Sequence, residues 1–293
     1  MDKLTVLTTL AQYFLYFIMY SVLGWCIEML YCGIGDSIKN KKLTIHNRGF
    51  LYGPLTPIYG TATTVMLLTL SHFKDNIPLL FIIGLVMCDI VEYLTSFLME
   101  KLFHAHWWDY TGKFLNINGR IDFVHSLEWG ALSVVFVRYI HPFFSGLSIF
   151  HMFTDRQIRV IALGIFIYFI YDLVNTVIAT VNVRNLQTKL ASFKDTVTEK
   201  LSGSKFNPEE ASKAVADMKD RITAMFKGRR TRHVLIEFPD YLKEMMNNVD
   251  TIQNNFTGLK EEWKEDWKEE WKTEWDSLKE SFSTFLEKHK PRK

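Results

Sequence analysis

Long apolar runs separated by short polar stretches dominate the first 180 residues, and a charged amphipathic pattern takes over after them. A helix that crosses a bilayer needs about 20 mostly apolar residues. Five segments meet this: about Thr9 to Tyr31, Leu55 to Phe73, Pro78 to Met99, Phe123 to Phe144 and Ile158 to Thr180. Pro78 suits the first turn of its helix, where a missing N–H costs nothing. The pattern predicts an all-α, polytopic transmembrane bundle of about five spans, residues 1–181. A C-terminal amphipathic helical tail, residues 182–293, follows it.

In the tail, residues 183–201 and 208–227 read as helices broken at Gly203 and Pro208, and Pro239 marks another break. From Leu259 to Leu286, Trp263, Trp267, Trp271 and Trp275 recur every four residues, which puts the indoles in one drifting stripe. Glu261–Lys264, Glu265–Lys268 and Glu269–Lys272 can each support that helix by a few tenths of a kcal/mol. Membrane-surface helices carry a basic polar face. Two partners suit the stripe, the lipid headgroup layer or another helix. The face is mixed and slightly acidic, which favours helix–helix contact, a homo-oligomer through the tail being one form of it.

Charge adds orientation. The first loop carries Lys39, Lys41, Lys42 and Arg48, the third Lys101, Lys113 and Arg120, and the tail opens with Arg184, Lys189 and Lys194. The opposite side has Lys3, Lys74, Arg156 and Arg159. Cytoplasmic loops are the richer in Lys and Arg, so the N-terminus is expected outside and the tail inside. The net charge of +2 gives no argument for nucleic acid. Cys26, Cys32 and Cys88 sit in or beside apolar runs, with neither a disulfide framework nor zinc spacing. The N-terminal apolar run is too long for a signal-peptide core, and is expected to remain as the first span.

Polar groups inside the spans carry the candidate chemistry. A charge at membrane depth costs at least about 2.5 kcal/mol, so it faces protein, water or ligand rather than lipid. Asp89 and Glu92, at i and i+3, share a face with Tyr93, Ser96 and Glu100. Arg48, Arg120 or Arg138 are candidate partners for a structural ion pair. Ser126, Glu128 and Trp129 lie at the start of the next span, Glu28 near the end of the first, and Asp172 and Asn175 late in the fifth. The loop holds Trp107, Trp108, Asp109 and Tyr110, whose rings suit either an interfacial belt or a binding cleft. Glu100, His104, His106 and Asp109 form too unspecific a pattern to assign a metal. Between Asn47 and Gly60 three glycines and two prolines exclude an ordinary helix interior. Such backbone is either an unwound segment facing a substrate, with Tyr59 at its end, or a tight turn into the second span. There is no P-loop, no Gly-x-Ser-x-Gly elbow and no His-Glu-x-x-His, so no ATP hydrolysis by P-loop chemistry and no cofactor are expected of this chain.

Several of these stretches together resemble a bacterial membrane family. They are Ser21-Val22-Leu23-Gly24-Trp25 with Glu28, Asn47-Arg48-Gly49-Phe50-Leu51, Gly53-Pro54 and Pro57-Ile58-Tyr59-Gly60. Glu92-Tyr93-Leu94-Thr95-Ser96, Glu100, Trp107-Trp108-Asp109-Tyr110, Asn118-Gly119-Arg120-Ile121, Ser126 and Trp129-Gly130 continue the series. The chain is similar, over about residues 12–145, to the ABC-transporter type IV (CmpB-like) permeases. Asp122 departs from the cysteine expected after Gly-Arg-Ile, and Glu128 from a usually apolar position. The resemblance implies a permease component in a bacterial plasma membrane, working with a separate ATPase subunit and surrounded by membrane lipids. Glu28, Arg48, Tyr59, Asp89, Glu92, Glu100, Trp108, Asp109, Arg120, Ser126 and Trp129 are the ligand-binding or gating candidates. Two other readings of the residues stand beside it. One is a membrane-embedded enzyme on a lipid or envelope precursor, with Glu92 or Asp109 as acid or base and Arg48 and Arg120 holding a phosphate. The other is a non-catalytic scaffold or sensor working through its tail.

Overall fold

A computed structural model describes residues 2–40, 49–147, 152–202 and 208–257, together with Glu280 and Thr284. Its named elements are all helical: α1 (Lys3–Asn40), α2 (Pro57–Thr69), α3 (Ile77–Phe103), α4 (Phe123–Val135), α5 (His141–Gly146), α6 (Asp155–Ser202), α7 (Pro208–Lys227), α8 (Arg229–Glu237) and α9 (Pro239–Thr257). Among the described residues no strand forms beyond an isolated antiparallel bridge between Ile117 and Ile121. The chain divides into two compact units, Met1–Val174 and Asn175–Lys293, with the division inside α6.

Three helices are long and apolar enough to cross a membrane, within Lys3–Leu30, Ile77–Phe103 and Asp155–Glu199. The second and fourth expected spans take a different form. α2 has 13 residues, about 20 Å at 1.5 Å per residue, and ends in a short 3-10 turn over Ser71–Phe73. The fourth is helical without a break from Phe123 to Gly146 but carries a π-helical turn at Phe136–Ile140, a local widening that hydropathy cannot reveal. The tail helix expected at 183–201 is not separate: it continues α6 to Ser202. The tryptophan stripe and Arg48 lie outside the described residues.

Helix ends follow local chemistry. Asn76 caps α3, its Oδ1 accepting from the Leu79 N–H at 3.1 Å, with a proline in the first turn. Asp122 caps α4, its Oδ1 accepting from Val124 N–H at 2.8 Å and His125 N–H at 3.2 Å. Asp122 therefore supplies a helix start, while Glu128 is exposed. α3 ends at His104, whose φ of 53° turns the chain out of the helix.

The first unit packs on small residues. A Cβ added to Gly60 would meet Ser21 Oγ at 2.1 Å and the Phe17 carbonyl at 2.5 Å, so α2 lies directly on the α1 backbone. A Cβ on Gly84 would come within 2.3 Å of the Ser133 Cβ, which holds α3 equally close to α4. In lipid, where apolar burial adds little between helices, such close approach is what drives association. Tyr20, Met66, Leu70, Leu80, Cys88 and Phe136 fill the core between these contacts. Cys88 is packed and free, as is the half-buried Cys26. Apolar residues on α3 stay exposed at Ile82, Val86, Ile90, Leu94 and Leu98. On α6 the same holds for Val160, Leu163, Ile167, Tyr171 and Val174. These stripes recur every three or four residues and are the faces a bilayer covers.

In the second unit Val183, Leu190, Ile222, Leu235, Phe238, Leu242, Met245 and Ile252 are fully or nearly fully buried. α7, α8 and α9 thus have an apolar core of their own with the end of α6.

Candidate functional site

The glycine–proline segment is folded into protein. Leu51, Gly53, Leu55 and Thr56 are buried. Thr56 N–H donates to the Ser21 carbonyl at 3.1 Å, and Gly53 N–H donates to Asp172 Oδ2 at 2.8 Å. A side chain on Gly53 would collide with the Tyr168 hydroxyl at 2.8 Å. Phe50 packs at a tilt against Phe103 and Trp107, with ring centroids 5.5 and 5.6 Å away. Irregular backbone with its polar groups met by protein is tolerated at membrane depth. The segment delivers Tyr59 to the first turn of α2, where its hydroxyl donates to Glu28 Oε1 at 2.9 Å.

Glu92 lies at the centre of the polar residues. It is 5% exposed. Trp129 Nε1 donates to its Oε2 at 2.8 Å, and the Tyr110 hydroxyl donates to its Oε1 at 3.3 Å. The Trp129 ring also lies 5.8 Å from that of Tyr59, which links the Glu28–Tyr59 pair to Glu92. One helical turn earlier, Asp89 Oδ2 accepts from Ser126 Oγ at 2.8 Å, and the same hydroxyl reaches the Asp122 carbonyl at 2.9 Å. Asp89 Oδ1 is buried without a hydrogen-bond partner. His125 closes the group: its ring stacks on Tyr110 at 4.4 Å and its Nδ1 pairs with Asp122 Oδ2.

Two groups outside the spans show how the local field works. Burial, the nearby Glu92 carboxylate and the hydrogen bond to it push the Tyr110 phenol above its ordinary value, so it stays a donor. Burial raises Asp122, but backbone N–H and ring contacts from His125, with the Val124 N–H, outweigh it and hold the carboxyl below the usual range.

Arg120 takes a separate place. Its guanidinium pairs with Glu100 rather than with Asp89 or Glu92, and lies 5.3 and 5.7 Å from the centroids of the Tyr93 and Phe97 rings. The loop before it is tied down by Trp108 Nε1 donating to the Arg120 carbonyl at 2.9 Å, and by Tyr110 N–H donating to Gly119 O at 2.8 Å. Gly119, at φ 68°, allows that turn. Asp109 is exposed, and its Oδ1 accepts from Thr111 N–H at 2.8 Å. Hydrogen bonds from the Thr111 side chain first and then from its N–H hold the Asp109 carboxyl below its ordinary range.

Of the residues expected from sequence, Glu28, Tyr59, Asp89, Glu92, Ser126 and Trp129 come together. Glu100, Trp108 and Arg120 form an adjoining cluster, and Asp109 stands apart in a turn. Tyr110, Asp122 and His125 join the constellation although none is among the ligand-binding or gating candidates, whereas Asp172, a polar group of the fifth span, holds the Gly53 amide. In the sequence Tyr110 stands out only as an aromatic of the loop, and the three-residue spacing of Asp122 and His125 is the one local signal of their pairing. Among the described residues no group of three His, Cys, Asp or Glu side chains could hold a metal ion.

Fold and site together define a helical membrane protein with a buried carboxylate, Glu92, among the polar residues of its first unit. A family model described as "Putative ABC-transporter type IV" matches residues 15–177, and the chain belongs to that family. No curated protein and no solved structure matches the chain.

Proposed function

We propose that this chain is the permease component of an ABC transporter in a bacterial plasma membrane, and that Glu92 is the centre of its substrate or gating site. The observation that carries the reading is a carboxylate almost fully buried among apolar helices and met by two neutral donors, Trp129 and Tyr110. Such a group is expensive at membrane depth and marks a pathway more readily than a scaffold. Four helices contribute: α1 with Glu28, α2 with Tyr59, α3 with Asp89 and Glu92, and α4 with Ser126 and Trp129. A relative movement of α3 and α4 would break the Trp129 and Ser126 bonds together, which couples the site to helix motion. The Arg120–Glu100 pair on the adjoining loop would act as the latch of that movement.

The sequence lacks a P-loop, so hydrolysis would reside in a separate ATPase subunit. Lys and Arg in the first and third loops support an N-terminus outside and a cytoplasmic C-terminus. Residues 1–181 would form the membrane domain, and 182–293 a cytoplasmic arm for assembly, including self-association. Gentle detergent purification followed by mass spectrometry tests the reading. A stoichiometric ATPase is expected, and a chain that purifies repeatedly without one counts against the permease role. Glu92→Gln and Arg120→Ala should insert normally yet fail to complement a deletion strain; full complementation by both would remove the site from the mechanism.

A further inference from the structure

We propose that the turn between α7 and α8 is a binding site for the phosphate groups of anionic lipids, held at the membrane surface by α6. Arg230 Nη1 reaches Thr176 Oγ1 at 3.5 Å, and Thr176 lies one helical turn before the end of the fifth apolar segment at Thr180. Further from that segment, Tyr241 lies within electrostatic reach of Arg184, and Gln187 Nε2 donates to Glu244. As the chain advances from 230 to 241 to 244, its partners advance from 176 to 184 to 187. The α8–α9 stretch therefore runs parallel to α6, and the start of α8 is its membrane-proximal end.

That end is strongly basic. Lys227-Gly228-Arg229-Arg230-Thr231-Arg232 places four cations in six residues, and Lys227, Arg229 and Arg232 are exposed. Gly228 is the N-cap of α8 and gives no side-chain cap bond. The first-turn amides of a helix have no partner within their own helix and favour an anion there. The turn is well formed: Thr231 Oγ1 donates to the Gly228 carbonyl at 2.8 Å, and Arg232 N–H donates to the same oxygen at 3.0 Å. Basic side chains beside a span are attracted by anionic headgroups within about a Debye length, roughly 10 Å. At this position each contributes roughly a fivefold preference for anionic lipid, on the order of a hundredfold for the three exposed ones. The proposal needs α6 to cross a bilayer and is independent of the transport role.

The test is hydrogen–deuterium exchange of residues 226–234 in the full chain, reconstituted in nanodiscs of phosphatidylcholine with or without phosphatidylglycerol. Exchange at least severalfold slower in the anionic discs, reverting at high salt, is expected. Lys227→Gln/Arg229→Gln/Arg232→Gln should abolish the difference while leaving exchange across α9 unchanged. Equal exchange of the wild-type segment in both lipids overturns the proposal. So does protection that survives the triple substitution, or protection that appears only when an ATPase subunit is added. Should the triple variant disturb α9, the wild-type lipid and salt comparison decides alone.

Discussion

Replacing Trp129 by Phe tests whether Glu92 is held by the indole N–H or merely surrounded by apolar bulk. Phe keeps an aromatic ring against Tyr59 but removes the 2.8 Å donor to Glu92 Oε2. Glu92 is 5% exposed, so water cannot readily take the place of that donor. A hydrogen bond to a charged buried group contributes about 1.5–3 kcal/mol. The expected coupling is about 2 kcal/mol in a double-mutant cycle with Glu92→Met, which keeps the unbranched shape but removes both charge and acceptor. At about 2–4 °C per kcal/mol for a unit of this size, Trp129→Phe should lower the melting midpoint in detergent by about 4–8 °C. In the Glu92→Met background most of that loss should vanish. An equal loss in both backgrounds would refute the bond to Glu92 as the source of the stabilisation, because the indole would then act only through packing.

Gly60→Ala should lower the midpoint by several degrees, since its Cβ would meet the Phe17 carbonyl at 2.5 Å even if Ser21 Oγ rotated away, and overpacking costs about 1–3 kcal/mol. Gly164→Ala on α6, where nothing lies within 4 Å of the new methyl, should leave it unchanged; matching losses in the two variants would refute the close crossing of α1 and α2. Asp122 is held below its ordinary value in the folded chain, so its contribution is complete at neutral pH and is lost as pH falls below about 4, through the lowered folded value. Asp122→Asn keeps a cap but no charge, and its melting midpoint should fall less steeply between pH 5 and 3 than that of the parent. Arg120→Ala removes the pair to Glu100 and the contacts with Tyr93 and Phe97; limited proteolysis should then cut within 104–120 much faster. Unchanged cleavage would mean that Trp108 and the turn hydrogen bonds hold that loop without it.

Much of the helical order was legible in the chain because a membrane helix must satisfy all its backbone groups internally and present apolar side chains outward. That requirement writes α1, α3 and α6 into the sequence as long apolar runs, and writes Asp89 and Glu92 as conspicuous exceptions on one face of α3. Pairing was not legible. Arg120 was a reasonable partner for Glu92 by charge, but a chain reversal through Asn118 and Gly119 lays its guanidinium along α3 at Tyr93, Phe97 and Glu100 instead. The buried carboxylate takes neutral donors from Tyr110 and Trp129, residues 18 and 37 positions away, and no local pattern encodes that meeting. Likewise Asp172 finds the Gly53 amide across 119 residues. Hydropathy counts apolar side chains one residue at a time. It therefore gives the helices and their polar interruptions, whereas the close approaches at Gly60 and Gly84, the π turn at Phe136–Ile140 and the partners of each buried charge depend on which helix lies against which, and only the tertiary packing decides that.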